Sequence, residues 1–215
     1  MKHKTRNGKS TQERLLDAAE HLFAEQGIQA TSLREITEEA GANLAAVNYH
    51  FRSKKALTKA VFERRFVPLN QERLRLLDKA EAEARSTPPA IEEILFALFE
   101  PTVRLWKDHE DFLRLDCRVQ IEPETKLHEF FLEQFEEVIR RFSSAMVRTV
   151  PDVPRKELFW RMHFLFGGML NTLVNHKDLA LFSEGLCVLD DHREFLQRLI
   201  AFGAAGLRGP INTPE

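Results

Sequence analysis

An all-α fold is predicted by three features of this 215-residue chain. Apolar residues recur at three- and four-residue spacing almost throughout. Two capping boxes, Ser10-Thr-Gln-Glu13 and Ser32-Leu-Arg-Glu35, announce helix starts, because each serine can take a free backbone N–H while the glutamate reaches back to its own. No segment alternates like a half-buried strand, and no internal repeat is present.

The first helix opens at Ser10 and closes before Gly27, with Leu15, Leu16, Ala19, Leu22 and Phe23 as its buried stripe. The second starts at Ser32, buries Leu33, Ile36 and Ala40, and stops at Gly41, where a left-handed residue is needed. After Ala42 and Asn43, Leu44 to Phe51 makes about two turns before Ser53 caps the next helix. Two short helices joined by a glycine-containing turn form a helix-turn-helix, whose second helix enters the DNA major groove. An ordinary αα-corner with a solvated surface is the alternative. The helix from Lys54 carries Leu57, Ala60, Val61 and Phe62 inward, and Pro68 removes its bond to Arg64, which predicts a kink or a split there with continuation to about Ala84. Ser86 to Pro89 is a break.

Further helices are expected over Ala90–Lys107, with a kink at Pro101, over Asp111–Ile121, from Pro123 to Val150, over Lys156–His176 and over His192–Leu207. Pro151 to Pro154 is a turn, and 177–191 receives no assignment. The domain reading is a helix-turn-helix DNA-binding domain over 1–56, with a tail over 1–9, and a helical ligand-binding and dimerisation domain over 57–215. The boundary falls within the helix that starts at Lys54.

Within the helix-turn-helix, Val47 and Phe51 are four apart and can anchor the second helix. Asn43, Leu44, Ala45, Ala46, Asn48, Tyr49 and His50 then point elsewhere. Ala45 and Ala46 are small enough to let the backbone approach base edges, and alanine can touch a thymine methyl. Asn48, Tyr49 and His50 can donate to phosphate oxygens. Lys54 adds a cation and the N-terminal N–H groups of its helix.

The chain is 43% hydrophobic and 30% charged, which is ordinary for a folded soluble protein. Its net charge of -2 conceals local basic runs. Lys2, Lys4, Arg6 and Lys9 precede the first helix and read equally as a solubilising tail or as a DNA arm. Arg52, Lys54, Lys55, Lys59, Arg64 and Arg65 cluster just past the motif, and such patches matter more for phosphate than total charge does. Two distant cysteines, Cys117 and Cys187, suggest a reducing cytoplasm rather than a disulfide framework. The N-terminus is polar, without a secretory signal, and no apolar run is long enough to span a bilayer.

Catalytic signatures are lacking. There is no Gly-x-Ser-x-Gly, Cys-x-x-Cys, His-Glu-x-x-His or Glu-x-x-His, so no enzyme activity, metal or cofactor is expected. Gly8-Lys9-Ser10 lacks the first glycine and the strand of a phosphate-binding loop. His163, on an apolar helix, reads as a core residue, and Asp190-Asp191-His192 as a cap for the last helix. Gly167 and Gly168 in one late helix, and Gly203 and Gly206 in another, each cost roughly 1 kcal/mol against alanine. A packing reason is therefore expected: a symmetric four-helix dimer interface, or close packing within the subunit.

The helix-turn-helix segment resembles the DNA-binding domain of the TetR family of transcriptional regulators. The residues that carry the resemblance are Phe23-Ala-Glu-Gln-Gly27, Thr31-Ser-Leu-Arg-Glu-Ile36, Ala40-Gly-Ala42, Tyr49-His-Phe51 and Ser53-Lys-Lys-Ala-Leu57; Ala42 stands where the family usually has valine. The resemblance implies base or phosphate contact by Arg34, base contacts by Leu44, Ala45 and Asn48, and phosphate contacts by Thr31, Ser32, Tyr49, His50 and Lys54. Because helix-turn-helix proteins read two half-sites, a homodimer on an inverted-repeat operator in double-stranded DNA is expected as well. Asn43-Leu-Ala-Ala-Val-Asn-Tyr-His-Phe51, Phe112-Leu-Arg-Leu115 and Glu157-Leu-Phe-Trp-Arg-Met-His-Phe164 are similar to the PsrA-type branch. That likeness implies a small apolar ligand, a fatty acid or acyl derivative, in an apolar cavity of the second domain. Candidate lining residues are Phe96, Phe99, Phe112, Arg114, Phe131, Phe135, Trp160 and Phe164. Arg114, Arg118 or Arg161 could meet an acidic head, although each also reads as a surface or ion-paired arginine. The resulting expectation is a ligand-responsive regulator, a repressor rather than an activator. The rival is a helical enzyme or lipid carrier that retains the DNA-binding module.

Overall fold

Ten α-helices follow one another along residues 9–121 and 125–211, which a computed structural model describes. They are α1 (Thr11–Gln26), α2 (Leu33–Glu39), α3 (Leu44–His50), α4 (Lys54–Ala84), α5 (Ile91–Asp108), α6 (Glu110–Ile121), α7 (Thr125–Thr149), α8 (Arg155–Val174), α9 (His176–Phe182) and α10 (His192–Arg208). The all-α expectation holds. Both capping boxes form: Ser10 Oγ accepts from the Glu13 amide and Ser32 Oγ from the Glu35 amide, both at 3.2 Å, and each glutamate returns the bond. Gly41 takes φ +59, the left-handed turn where a Cβ would be strained. The stretch 177–191, which the sequence leaves unassigned, holds most of α9. The expected helix start at Pro123 and the basic residues Lys2, Lys4 and Arg6 lie outside the described residues.

Pro68 does not split its helix. α4 runs through it as one element of 31 residues, since losing a single backbone bond can be offset by packing along so long a helix. The chain divides into two compact units: Met1–Val67 with Asp111–Phe130, and Pro68–Glu110 with Phe131–Glu215. The first unit therefore extends beyond the 1–56 expected for the reading head. It takes in most of α6, which no local sequence signal assigned there.

In the first unit, α1, α2 and α3 pack on one another. Leu15, Ala19, Phe23, Ile36, Val47, Leu57, Val61 and Phe62 are fully buried. Phe112 from α6 joins them, with its ring 5.8 Å from Phe62 and 5.2 Å from Phe66. Glu20 is buried too, and it is the hub of an ion-pair cluster. Arg65 meets its carboxylate at 3.0 and 2.9 Å through Nε and Nη2, while Arg64 reaches Glu20 at 2.6 Å and Asp17 at 2.7 Å.

In the second unit, α10 packs against α5 and α8. Buried Arg73 on α4 donates to the Leu98 carbonyl at 3.0 Å and the Thr102 hydroxyl at 2.7 Å, both on α5, and lies 5.8 Å from the Phe135 ring of α7. Arg161 of α8 donates to the carbonyls of Gly206, Gly209 and Pro210 at 2.7, 2.9 and 3.0 Å. A cation at a helix C-terminus satisfies orphan carbonyls and opposes the helix dipole, so Arg161 caps α10 rather than awaiting an acidic ligand. Asp191 caps the other end of α10, accepting from the Arg193 amide at 2.8 Å. Cys117 and Cys187 are free thiols, and burial pushes Cys117 up to about 12.

Candidate nucleic-acid interface

The orientation of α3 follows from two anchors. Val47 and Phe51 are buried, which turns Leu44, Ala45, Asn48 and Tyr49 outward along one contiguous face. Tyr49 is 84% exposed, an unusual placement for a large aromatic, and the His50 ring lies 5.0 Å from its own. Ala46 and His50 are half-buried at the margins. Asn43 caps α3, its Oδ1 accepting from the Ala46 amide at 3.0 Å, so only its NH2 group is left to face a partner.

Around this face the expected contacts separate. Ser32 and Arg34 are exposed, and the Ser32 hydroxyl, although it accepts a bond as a cap, can still donate. Ser53 Oγ accepts from the Ala56 amide at 3.1 Å, and the Leu57 amide makes the first intrahelical bond of α4. The amides of Lys54 and Lys55 thus stand at the helix start, where anions are favoured. Lys54 Nζ rests 3.3 Å from the Gln29 carbonyl. Thr31 is a correction. It is buried, and its hydroxyl donates to the Gly27 carbonyl at 2.8 Å, so it holds the α1–α2 turn and presents nothing to a phosphate. Arg64 and Arg65 are a second correction, because the Glu20 cluster consumes them. Lys59 lies over the Phe130 ring at 5.1 Å and Lys9 pairs with Asp17 at 2.6 Å, which narrows the basic patch to Arg34, Arg52, Lys54 and Lys55.

Sequence reasoning missed how α1 is held. Its last two turns are bound by α6: Asp111 pairs with His21 at 3.1 Å, Arg114 with Glu25 at 3.4 Å, and Arg118 donates to the Ala24 and Glu25 carbonyls. These partners are about ninety residues apart, and no local pattern links them. The bond to Asp111 holds the His21 pKa above its ordinary value near 6.5. Its stabilisation is fully present below that value and is lost as pH rises through the raised one; both side chains are near half-exposed, so the energy is small. An NMR titration should place His21 above ordinary histidine, and Asp111→Asn should return it. An unchanged midpoint in that variant would remove the pairing.

The eight candidate pocket residues divide between the two units. Phe112 and Arg114 belong to the first unit, buried against Phe62 and Phe66 and ion-paired with Glu25 respectively. The other six lie in the second unit. There Phe99 is buried with its ring 5.1 Å from Phe166, Phe131 and Phe135 are half-buried, and Phe96, Trp160 and Phe164 are exposed. Aromatic spacing identified buried positions on some helices and outward ones on others. His163 is likewise exposed rather than core. Of the four interface glycines, Gly203 is internal: a Cβ there would stand 3.1 Å from Leu95 and Leu165 methyls, so it lets α10 approach α5 and α8. Gly167, Gly168 and Gly206 are exposed and open.

Comparison with known proteins agrees with this arrangement. Residues 15–61 match the family described as bacterial regulatory proteins, tetR family, and residues 96–206 match the tetracyclin repressor-like C-terminal domain. The HTH-type transcriptional regulator AcrR of Shigella flexneri is 32% identical over 104 residues, covering 48% of this chain and 47% of AcrR. The dual regulator CecR of the same organism is 26% identical over 203 residues, 88% of this chain and 86% of CecR. The chain spans about half the length of the first curated relatives it matches. Among solved structures, AmtR of Mycobacterium smegmatis superposes with a TM-score of 0.68 at 18% identity, over 98% of this chain and 92% of that one. No described helix is long and apolar enough to cross a membrane. With both of its regions matched and the reading helix so exposed, the chain belongs to the TetR family of transcriptional regulators.

Proposed function

We propose that this protein is a homodimeric, cytoplasmic, one-component repressor that grips an inverted repeat in double-stranded DNA and releases it when a small apolar molecule, a fatty acid or acyl derivative, binds the C-terminal helical domain. The observation that carries the DNA reading is the outward face of α3, with Leu44, Ala45, Asn48 and Tyr49 presented on a helix fixed by Val47 and Phe51. Leu44, Ala45, Ala46 and Asn48 meet base edges; Ser32, Asn43, Tyr49, His50 and Lys54 grip phosphates, and Arg34 reaches either. Reading two half-sites requires two heads. The dimer is formed by α8 and α10, whose surface carries Trp160, Phe164, Gly167, Gly168, Phe202 and Gly206.

The ligand class rests on the likeness of 43–51, 112–115 and 157–164 to the PsrA-type branch. Release follows from α6. It is bound to the end of α1, yet its chain neighbours α5 and most of α7 belong to the second unit, so a ligand that favours a shifted α6 pulls on the support of the reading helix. Such a ligand moves occupancy only by its difference in affinity between the two states. A mass measurement on the intact purified protein, looking for a copurified lipid, tests the ligand class. Binding in gel shift to its own promoter tests the regulator reading against a lipid carrier or enzyme.

Two substitutions separate base from phosphate contact. Asn48→Ala should weaken operator binding by roughly 1–3 kcal/mol while leaving random DNA almost unaffected. Lys54→Ala should weaken both alike and lower the salt slope by about 1. Equal losses for Asn48→Ala on the two DNAs would move that residue to the phosphate list.

A further inference from the structure

We propose that the outward face of α7 is a second self-association surface, on which another copy of this chain docks its own α7 antiparallel, joining dimers into tetramers. The inference goes beyond the α8/α10 dimer and does not use its residues. Leu132, Ile139 and Val147 are 53%, 46% and 39% exposed and form one seam along the helix. They line an open groove of about 810 Å³ together with Glu136, Ser143 and Arg148. From Leu132 to Arg148 the seam is about 24 Å long, enough for a helix laid alongside it.

The occupant is identified by charge. The first half of the groove is acidic at Glu133 and Glu136, and the second half is basic at Arg155, from the start of α8, and at Arg140 and Arg148, whose exposed bridges to Glu137 and Glu81 are weak enough to be shared with a partner's carboxylates. A two-fold axis presents the same patch twice, with each contact repeated in reverse. With the axis between residues 141 and 142, Ile139 of one copy sits over Ser143 and Ser144 of the other. Glu136 then meets the turn that carries Arg148, and Glu133 points toward Arg155, each twice. A parallel arrangement sets acid against acid and base against base, and is rejected. The serines make a low floor whose hydroxyls are already bonded: Ser143 Oγ donates to the Arg140 carbonyl at 3.2 Å, and Ser144 Oγ accepts from Arg148 Nη1 at 3.0 Å. Covering them strands no polar group. The exposed charges orient the pairing more than they strengthen it, so the association is weak and concentration-dependent.

Sedimentation velocity on the full chain across the micromolar range tests this. The wild type should pass from dimer to tetramer as concentration rises. Ile139→Asp, Glu133→Arg and Arg155→Glu should each raise the tetramer dissociation constant by about tenfold or more while leaving dimers and helical circular dichroism intact. The double exchange Glu133→Arg with Arg155→Glu should restore tetramers. A wild type that remains dimeric at every concentration overturns the proposal, as does a double exchange that behaves no better than its singles. Dimers that never pair further leave the regulator reading standing, whereas loss of the dimer itself is read on α8, so the two surfaces fail separately.

Discussion

Glu20→Gln is expected to destabilise the protein by about 3 kcal/mol, at the lower end of what removing one partner of a buried ion pair costs. Glutamine preserves the shape and one acceptor but leaves Arg64 and Arg65 facing each other across a buried neutral group. Their side chains are only 20% and 16% exposed, so water cannot restore the solvation they lose. Asp17 still meets Arg64 at 2.7 Å, which keeps the loss at the lower end of the range. Urea denaturation followed by circular dichroism measures the effect. Operator binding should weaken as well, because α1 supports α2 and α3, and the fraction of folded heads falls. Replacing all three residues by apolar ones, Glu20→Leu with Arg64→Met and Arg65→Met, should recover most of the stability, since the desolvated charges disappear together. A loss under about 1 kcal/mol for Glu20→Gln would mean that the cluster is solvated and marginal.

That cluster marks the limit of what the sequence discloses. Capping boxes at Ser10 and Ser32, the turn at Gly41 and the anchors Val47 and Phe51 rest on interactions three or four residues apart, and all of them were legible. The pairing of Glu20 with Arg64 and Arg65 spans 44 and 45 residues, so a run of six cations that reads as a phosphate patch loses two of them to an acid the local pattern cannot place. Thr31 fails for a related reason: a hydroxyl between two helices looks available until the turn closes on it. The aromatic residues were legible as helical stripes, but a stripe does not state which neighbour it faces. Phe99 went to the interior, Phe112 to the reading head, and Trp160 and Phe164 to the surface. Glycines carried the same ambiguity, and only the side chains around each one decide it.

Phe164→Asp should convert dimers to monomers and lower operator affinity by about 100-fold or more. Phe164 is 65% exposed with the Trp160 ring tilted beside it at 5.7 Å, and Gly167 and Gly168 lie one turn further along α8. A carboxylate there cannot be buried against a second subunit without a partner, while in the isolated subunit it simply faces water. Each head alone keeps its own contacts but loses the gain from tethering two, which amounts to roughly two to four orders of magnitude. Gly168→Leu should act in the same direction, because a Cβ there meets nothing within 4 Å in the subunit and any obstruction must come from outside it. Gly203→Leu separates the two kinds of glycine. Its side chain would have to enter where a Cβ already stands 3.1 Å from Leu95 and Leu165, so it should cost about 1–3 kcal/mol of folding stability or more and lower the melting temperature of the subunit. Sedimentation, circular dichroism and gel shift on the three variants give a joint result: two that stay folded and lose operator as monomers, and one that loses stability first. A Phe164→Asp protein that sediments as a dimer and binds operator normally would rule out this face of α8 as the dimer contact.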